Sequence, residues 1–490
     1  MHSTISRRFG LVTAAVVVAV IVAPGTAAAG TPKLTWGPCP ADIATPRLQC
    51  ATLDVPLDYQ RPGGEKIRVA VSRLPSTHRA QRRGVLLLNP GGPSSGLGMP
   101  LSLVQRGLPA EVTDKYDLIG FDPRGLGHST RVTCDLKPVR DPQPPYARDA
   151  ADVAKHAMVA ETVAKGCATS KTAQLLPYIT TANIARDVDA IRAALGEQRI
   201  SSYGVSYGSY LGAVYATLFP QRTDRVVLDS VPGPGGLDIA GSRRFGQGFQ
   251  DSFPDFAQWA AARDASYQLG STPRQVTMKY LELASRLDKD PVGEIDGAAF
   301  RDYTFNGLYT IQVFPELAQL WQSLDRGLAP ASPGSFTTEP DDDMENLLSA
   351  QLLVRCNDTA WPRSVETYQH NVGVDRERFP LYGAAAANIW PCAFWPSQPI
   401  EPPVRIGDRG PSTILLVQNR RDPAAPLAGA QETRRALGDR ARMVTVDQVG
   451  HGVYLYSANA CGNAVVNRFL LTGQRPTTDI PCVPAAMTDH

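Results

Sequence analysis

The sequence has 490 residues, with 49 Lys plus Arg against 47 Asp plus Glu, a formal net charge of +2, and 43% hydrophobic residues. A balance this close to neutral offers no basic footprint from which phosphate counterions could be released, so nucleic acid is not an expected partner. The length exceeds what one compact core usually holds, which predicts a large domain carrying an insertion, or two domains.

Residues 1–29 read as a signal peptide: His2, Arg7 and Arg8 precede an apolar run over 11–22, and small residues end in Ala27-Ala28-Ala29. Ser6-Arg7-Arg8 also resembles the start of a twin-arginine signal, from which Gly10 and Val12 depart, so the export route stays open. No later segment approaches the roughly 20 uninterrupted apolar residues of a spanning helix. The mature protein is therefore expected outside the cell, soluble and without stable membrane association. Eight cysteines (Cys39, Cys50, Cys134, Cys167, Cys356, Cys392, Cys461 and Cys482) contain no Cys-x-x-Cys pair, which argues against a zinc site. Behind an export signal they predict disulfides, with each cysteine paired to its neighbour along the chain.

Short apolar runs at 85–88, 118–121, 226–228 and 414–417, each bounded by Gly, Pro or Asp, have the character of buried parallel strands. Between them Ile184, Val188, Ile191 and Leu195 recur at helical spacing and stop at Gly196. Strand and helix in alternation predict an α/β fold with a mostly parallel sheet and helices on both faces. The alternation breaks after Pro234. Phe249, Phe253, Phe256 and Trp259, then Val276, Tyr280, Leu283 and Leu287, repeat at helical spacing, with Pro254 expected in a first turn. The expected organisation is a first core part over 30–234, a mainly helical cap over 235–408, and a second core part over 409–490.

The chemistry concentrates at the ends of the predicted strands. A strand-like run at 200–203 leads into Gly204-Val205-Ser206-Tyr207-Gly208, and Leu211, Val214, Tyr215 and Leu218 continue it as a helix. A serine in such a strand-to-helix turn is held exposed for nucleophilic attack, and the flanking glycines let strand and helix approach. A serine hydroxyl is a poor nucleophile at neutral pH, so a histidine must take its proton and a carboxylate must orient that histidine. The chain order in this architecture is Ser, acid, His. Of seven histidines only His370, His451 and the terminal His490 follow Ser206. His370 falls in the predicted cap ahead of the well-placed acid, whereas His451 sits in Val449-Gly450-His451-Gly452 beyond a strand-like run at 443–446. His451 is therefore the expected base. Asp422, just beyond the run at 414–417, is the expected acid; Asp439, in a turn, and Asp447, close to His451 in sequence, are its rivals. The oxyanion donors are expected to be the backbone N–H groups of Tyr207, after the nucleophile, and Gly92, in Asn89-Pro90-Gly91-Gly92-Pro93 after the first core strand.

With these residues assigned, the chain resembles the secreted tripeptidyl aminopeptidases of actinomycetes, a branch of the proline-iminopeptidase-like serine peptidases with the α/β-hydrolase fold. The matching segments include Asn89-Pro90-Gly91-Gly92-Pro93, Gly120-Phe121-Asp122-Pro123-Arg124-Gly125-Leu126-Gly127 and the stretch 203–210. Further on come Cys356-Asn357-Asp358-Thr359-Ala360-Trp361-Pro362, Arg421-Asp422-Pro423 and Gly450-His451-Gly452. The resemblance implies release of short peptides from free N-termini through an acyl-enzyme on Ser206, without metal or cofactor. It also implies an acidic anchor for the substrate ammonium, for which Asp358 is the candidate. The acidic run Glu339, Asp341, Asp342, Asp343 and Glu345 is the alternative, although such runs are usually solvated. Ser94 stands where related sequences commonly carry glycine, so a changed oxyanion loop or a narrowed first subsite is expected. The 469–473 stretch is also less polar than in related sequences. Two other readings remain: a secreted carboxylesterase or amidase, which would need no free amine, and a non-catalytic binding protein on a hydrolase scaffold.

Overall fold

A computed structural model describes residue 2 and residues 33–136, 143–329 and 342–483; the segment read as signal peptide, apart from residue 2, and part of the acidic run, including Glu339 and Asp341, lie outside them. Among the described residues ten strands form one sheet: β1 (Gly37–Pro38), β2 (Gln49–Pro56), β3 (Lys66–Leu74), β4 (Gly84–Asn89), β5 (Tyr116–Phe121), β6 (Ile200–Val205), β7 (Thr223–Asp229), β8 (Ile414–Arg421), β9 (Ala441–Val449) and β10 (Ile480–Cys482). Their spatial order is β1-β2-β3-β5-β4-β6-β7-β8-β9-β10. Strands β4 to β10 run parallel to one another, and β1 to β3 add an antiparallel edge that joins through β5.

Strands β4, β5 and β6 are buried at every residue, as central strands covered on both faces must be, β6 including its two serines. Strand β2 instead alternates buried and exposed residues, Ala51, Leu53 and Val55 inward against Thr52 and Asp54 outward. The chain leaves β4 toward β5 and returns to β6 on the other side of β4. That reversal opens a crevice at the carboxyl ends of β4 and β6, where open α/β sheets bind their ligands.

Between β7 and β8 the described chain is mainly helical. Helices Ile239–Ala261, Pro273–Leu287, Gly297–Gly307 and Phe314–Asp325 share an aromatic core that includes Phe249, Phe253, Phe256, Tyr280, Phe300 and Trp321. Helix Asp342–Asp358 behaves differently, because Ala350, Leu353 and Cys356 pack into the hydrophobic cluster that lies under the sheet. Pro254 does not begin a helix: it lies deep inside Ile239–Ala261, whose start is set by Asp238 accepting a hydrogen bond from the Gly241 N–H. An interior proline costs about 3 kcal/mol of helix stability. Burial of Phe249, Phe253 and Phe256 on either side of it offsets that cost.

Four disulfides join Cys39 to Cys50, Cys134 to Cys167, Cys356 to Cys392 and Cys461 to Cys482, closing separations of 11, 33, 36 and 21 residues. No helix among the described residues is long and apolar enough to cross a membrane.

Candidate active site

Ser206 occupies the turn between β6 and helix Tyr207–Leu218, with φ 57° and ψ −126°. Such a conformation costs a non-glycine residue on the order of 1–3 kcal/mol and persists only when its surroundings enforce it. Here the Ser206 N–H donates to the Asp229 carbonyl at the end of β7. A Cβ on Gly204 would lie 2.1 Å from the Gly208 carbonyl oxygen, so the first glycine of the motif is what lets strand and helix close on the serine. The helix start places its unpaired backbone N–H groups, Tyr207 first, beside the serine.

The opposite wall is the loop after β4. Pro90 and Pro93 carry no N–H, and that of Gly91 donates to Asn89 Oδ1, which leaves Gly92 as the backbone donor of this stretch. Gly91 has φ +95°, and a Cβ there would meet the Val205 carbonyl oxygen at 2.5 Å and Ser206 Cβ at 2.9 Å. Ser94 Oγ donates to the Gly91 carbonyl at 2.9 Å, so this departure from glycine braces the loop. Asp122, fully buried, holds the next turn by accepting from the N–H groups of Gly96 and Leu97. Arg124 of the same segment forms a buried two-pronged pair with Asp187, at 2.6 and 2.7 Å, and donates to the carbonyls of Pro56, Leu57 and Tyr178. Its role is to tie the antiparallel edge to the helical layer.

Asp422 directly follows β8 and is fully buried. Its Oδ1 accepts from the N–H groups of Ala424 and Ala425 at 3.0 and 2.8 Å, and both carboxylate oxygens lie within 3.0 Å of His451 Nδ1. Burial disfavours the imidazolium, but the Asp422 charge and hydrogen bond outweigh it, with a contribution from Asp229, so the His451 pKa is raised. Neither rival acid touches His451: Asp447 pairs with Arg421 at 2.5 Å, and Asp439 with Arg442 at 3.4 Å. His370 lies exposed on helix Val365–Arg378.

The His451 loop is pinned from every side. Asn419 Nδ2 donates to the carbonyls of Gly450 and Gly452, and Ser230 Oγ accepts from the Gly452 N–H. Asp229 accepts from the N–H groups of Val453 and Tyr454 and from the Tyr203 hydroxyl; burial nevertheless raises its pKa to about 6. The His451 N–H donates to the Tyr309 carbonyl at 2.8 Å, and the two rings meet edge to face at 5.0 Å. Asn419, Asp229 and Tyr309 were not singled out from the sequence. Asp229 and Asn419 could have been, since each sits at the carboxyl end of a legible strand.

Ser206, Gly92 and His451 line one cavity of about 360 Å³, and Asp302, Tyr309, Arg355, Tyr382 and Trp390 from the helical insertion form its other wall. Asp358 does not line it. Its carboxylate lies elsewhere, half-buried, accepting from the Thr181 N–H at 2.7 Å and Thr181 Oγ1 at 2.5 Å, and desolvation raises its pKa to about 6. The expectation that Asp358 anchors a substrate amine is therefore corrected: the carboxylate is committed to the start of helix Thr181–Ala194. The acidic run is also engaged elsewhere, with Asp343 paired to Arg131 at 2.7 Å and Glu345 accepting from Thr133 and Cys134. The acidic side chain among the described cavity residues is Asp302, whose carboxylate accepts from the Tyr382 hydroxyl at 2.7 Å.

Comparison with known proteins follows the same outline. The tripeptidyl aminopeptidase of Streptomyces lividans is 36% identical over 489 residues, covering 96% of this chain and 89% of that protein. The chain belongs to the tripeptidyl aminopeptidase family of serine hydrolases. A family model described as TAP-like protein matches residues 379–482, a span that contains Asp422 and His451. The family's breadth is visible in two further relatives from Mycobacterium tuberculosis: serine protease Hip1, 29% identical and covering 94% of each chain, and carboxylesterase B, 31% identical over 92% of this chain and 90% of that protein. Among solved structures, proline iminopeptidase from Mycobacterium smegmatis aligns with a TM-score of 0.38 at 16% identity, over 86% of this chain and 97% of that one. An esterase from Thermogutta terrifontis gives 0.37 at 14% identity, over 86% and 99%.

Proposed function

We propose that this serine peptidase is a secreted exopeptidase that removes short peptides, tripeptides in the first instance, from free N-termini. The observation that carries the reading is the buried Asp422–His451 pair, which opens with strained Ser206 onto a single cavity walled by a carboxylate. Ser206 Oγ attacks the scissile carbonyl carbon while His451 Nε2 takes the hydroxyl proton. Asp422 keeps the Nδ1–H tautomer and stabilises the imidazolium that forms. The negative oxygen of the tetrahedral intermediate lies against the N–H groups of Gly92 and Tyr207. Its collapse breaks the C–N bond, and His451 returns the proton to the leaving amine. Water, deprotonated by His451, then releases the peptide from Ser206.

Asp302 is the group in this reading that receives the substrate ammonium, in place of Asp358. The named peptidases among the relatives support a peptide substrate. The relative named carboxylesterase B makes an ester the competing substrate. The test compares Ala-Pro-Ala-p-nitroanilide with its N-acetylated form and with p-nitrophenyl butyrate, using Ser206→Ala as the control. The expected result is turnover of the free-amine peptide and loss of it on acetylation. Rapid ester hydrolysis with no peptide turnover would make the protein an esterase.

A further inference from the structure

The catalytic cavity contains a cation that the reaction does not use. Arg355, on helix Asp342–Asp358, is only 9% exposed and lines the cavity together with Ser206 and His451. Its Nη1 donates to the Leu237 carbonyl and to Ser242 Oγ, and its guanidinium lies 3.9 Å over the Trp390 ring. Among the described residues no carboxylate reaches it within salt-bridge distance, and Nε and Nη2 have no protein acceptor. Burial draws its pKa down to about 9 against the opposing pull of the Asp238 charge, which leaves it charged at neutral pH. The Trp390 indole N–H is buried without a protein acceptor.

Of the other buried arginines, Arg124 is paired with Asp187 and Arg301 with Asp288, while Arg225 and Arg440 turn to the backbone carbonyls of Leu470 and Ala216; Arg355 differs from all four in lining the catalytic cavity. Arg355 is also held rigidly. The Cys356–Cys392 disulfide ties the residue after it to the segment after Trp390, and the Trp361 indole donates to its carbonyl. A guanidinium fixed in place with donors left over is preorganised for a planar anion.

We propose that Arg355 is a specificity-determining residue that binds a carboxylate of the substrate while Ser206 attacks the scissile carbonyl. The proposal rests on the reading of the cavity as the site of acyl transfer. Two sources share this chemistry, an acidic side chain among the residues released and the free C-terminal carboxylate of a short peptide.

The experiment measures kcat/KM for Ala-Pro-Ala-p-nitroanilide analogues carrying Glu or Gln at each position in turn, and for short peptides with a free or amidated C-terminus. A charge-assisted contact predicts a preference of about tenfold or more for the carboxylate form in one arm, and that arm identifies the source. In Arg355→Gln the ratio should collapse toward one, and in Arg355→Lys, which keeps the charge and loses the fork, it should be intermediate. Wild-type ratios within about twofold in both arms would overturn the proposal whether or not the variants fold, and so would a preference that persists in Arg355→Gln. Failure of the peptidase reading shows separately, as no turnover of the neutral anilide. The pair p-nitrophenyl butyrate and mono-p-nitrophenyl glutarate then reads Arg355 by the same ratio.

Discussion

The sheet and the helical insertion meet at one cavity but are built from different materials. Around the carboxyl ends of β4, β6, β7, β8 and β9 the buried groups are polar and held largely through backbone hydrogen bonds: Asp122, Asp229, Asn419 and Asp422 each anchor a loop. Helices Ile239–Ala261, Pro273–Leu287, Gly297–Gly307 and Phe314–Asp325 are held instead by packed rings, with Phe249, Phe253, Tyr280 and Trp321 forming a chain of contacts at 5.2 to 6.1 Å. Directional hydrogen bonds fix a reacting atom to tenths of an ångström, whereas ring packing fixes volume and allows side chains on its rim to vary. The division suggests where chemistry and selectivity reside, with the sheet carrying the acyl-transfer groups and the insertion presenting Asp302 and Arg355 to the substrate.

Substitutions on the two sides should separate these contributions. Ser206→Ala should lower kcat by about 10⁴-fold or more with the thermal unfolding midpoint little changed, measured by p-nitroanilide release. Asp422→Asn should cost about 10⁴-fold in kcat, because the imidazole loses the partner that fixes its tautomer. On the insertion side, Trp321→Ala should destabilise the fold by about 3–5 kcal/mol in chemical denaturation, through the cavity left among Phe253, Phe256 and Phe300. Asp302→Asn should raise KM for the free-amine peptide about tenfold more than for p-nitrophenyl butyrate; equal effects on both would detach Asp302 from amine recognition. The smallest effect is on the pH profile. His451 must be neutral to accept the Ser206 proton, and its pKa is raised, so kcat/KM should fall as pH drops through a value above 6.5. Removing the Asp422 charge should move that limb to lower pH in the residual activity of Asp422→Asn.

The parts of this protein written in local pattern are readable in the sequence alone. Continuous apolar runs at 85–88, 118–121, 226–228 and 414–417 are legible as parallel strands because strands covered on both faces leave no room for alternation. The turn around Ser206 is legible because its steric demand falls on glycines two residues either side. Strands β2 and β3 were passed over because their charged residues interrupt the apolar runs, and β10 because three residues carry no period. Pro254 was misplaced because helix Ile239–Ala261 begins well before the aromatic repeat that announces it.

Placement across long sequence separations was beyond local reading. The Asp358 carboxylate turns to Thr181, 177 residues away, which no spacing encodes. Asp302, Tyr309 and Arg355 lie on or beside helices whose periodicity identifies a buried face without saying what it faces. Local order follows from the sterics and hydropathy of neighbouring residues, and those were sufficient for the strands, the nucleophile turn and the choice among histidines. Which carboxylate and which cation enter the cavity depends on how helices pack against a sheet formed hundreds of residues away, and packing energy is shared among side chains that no local window contains.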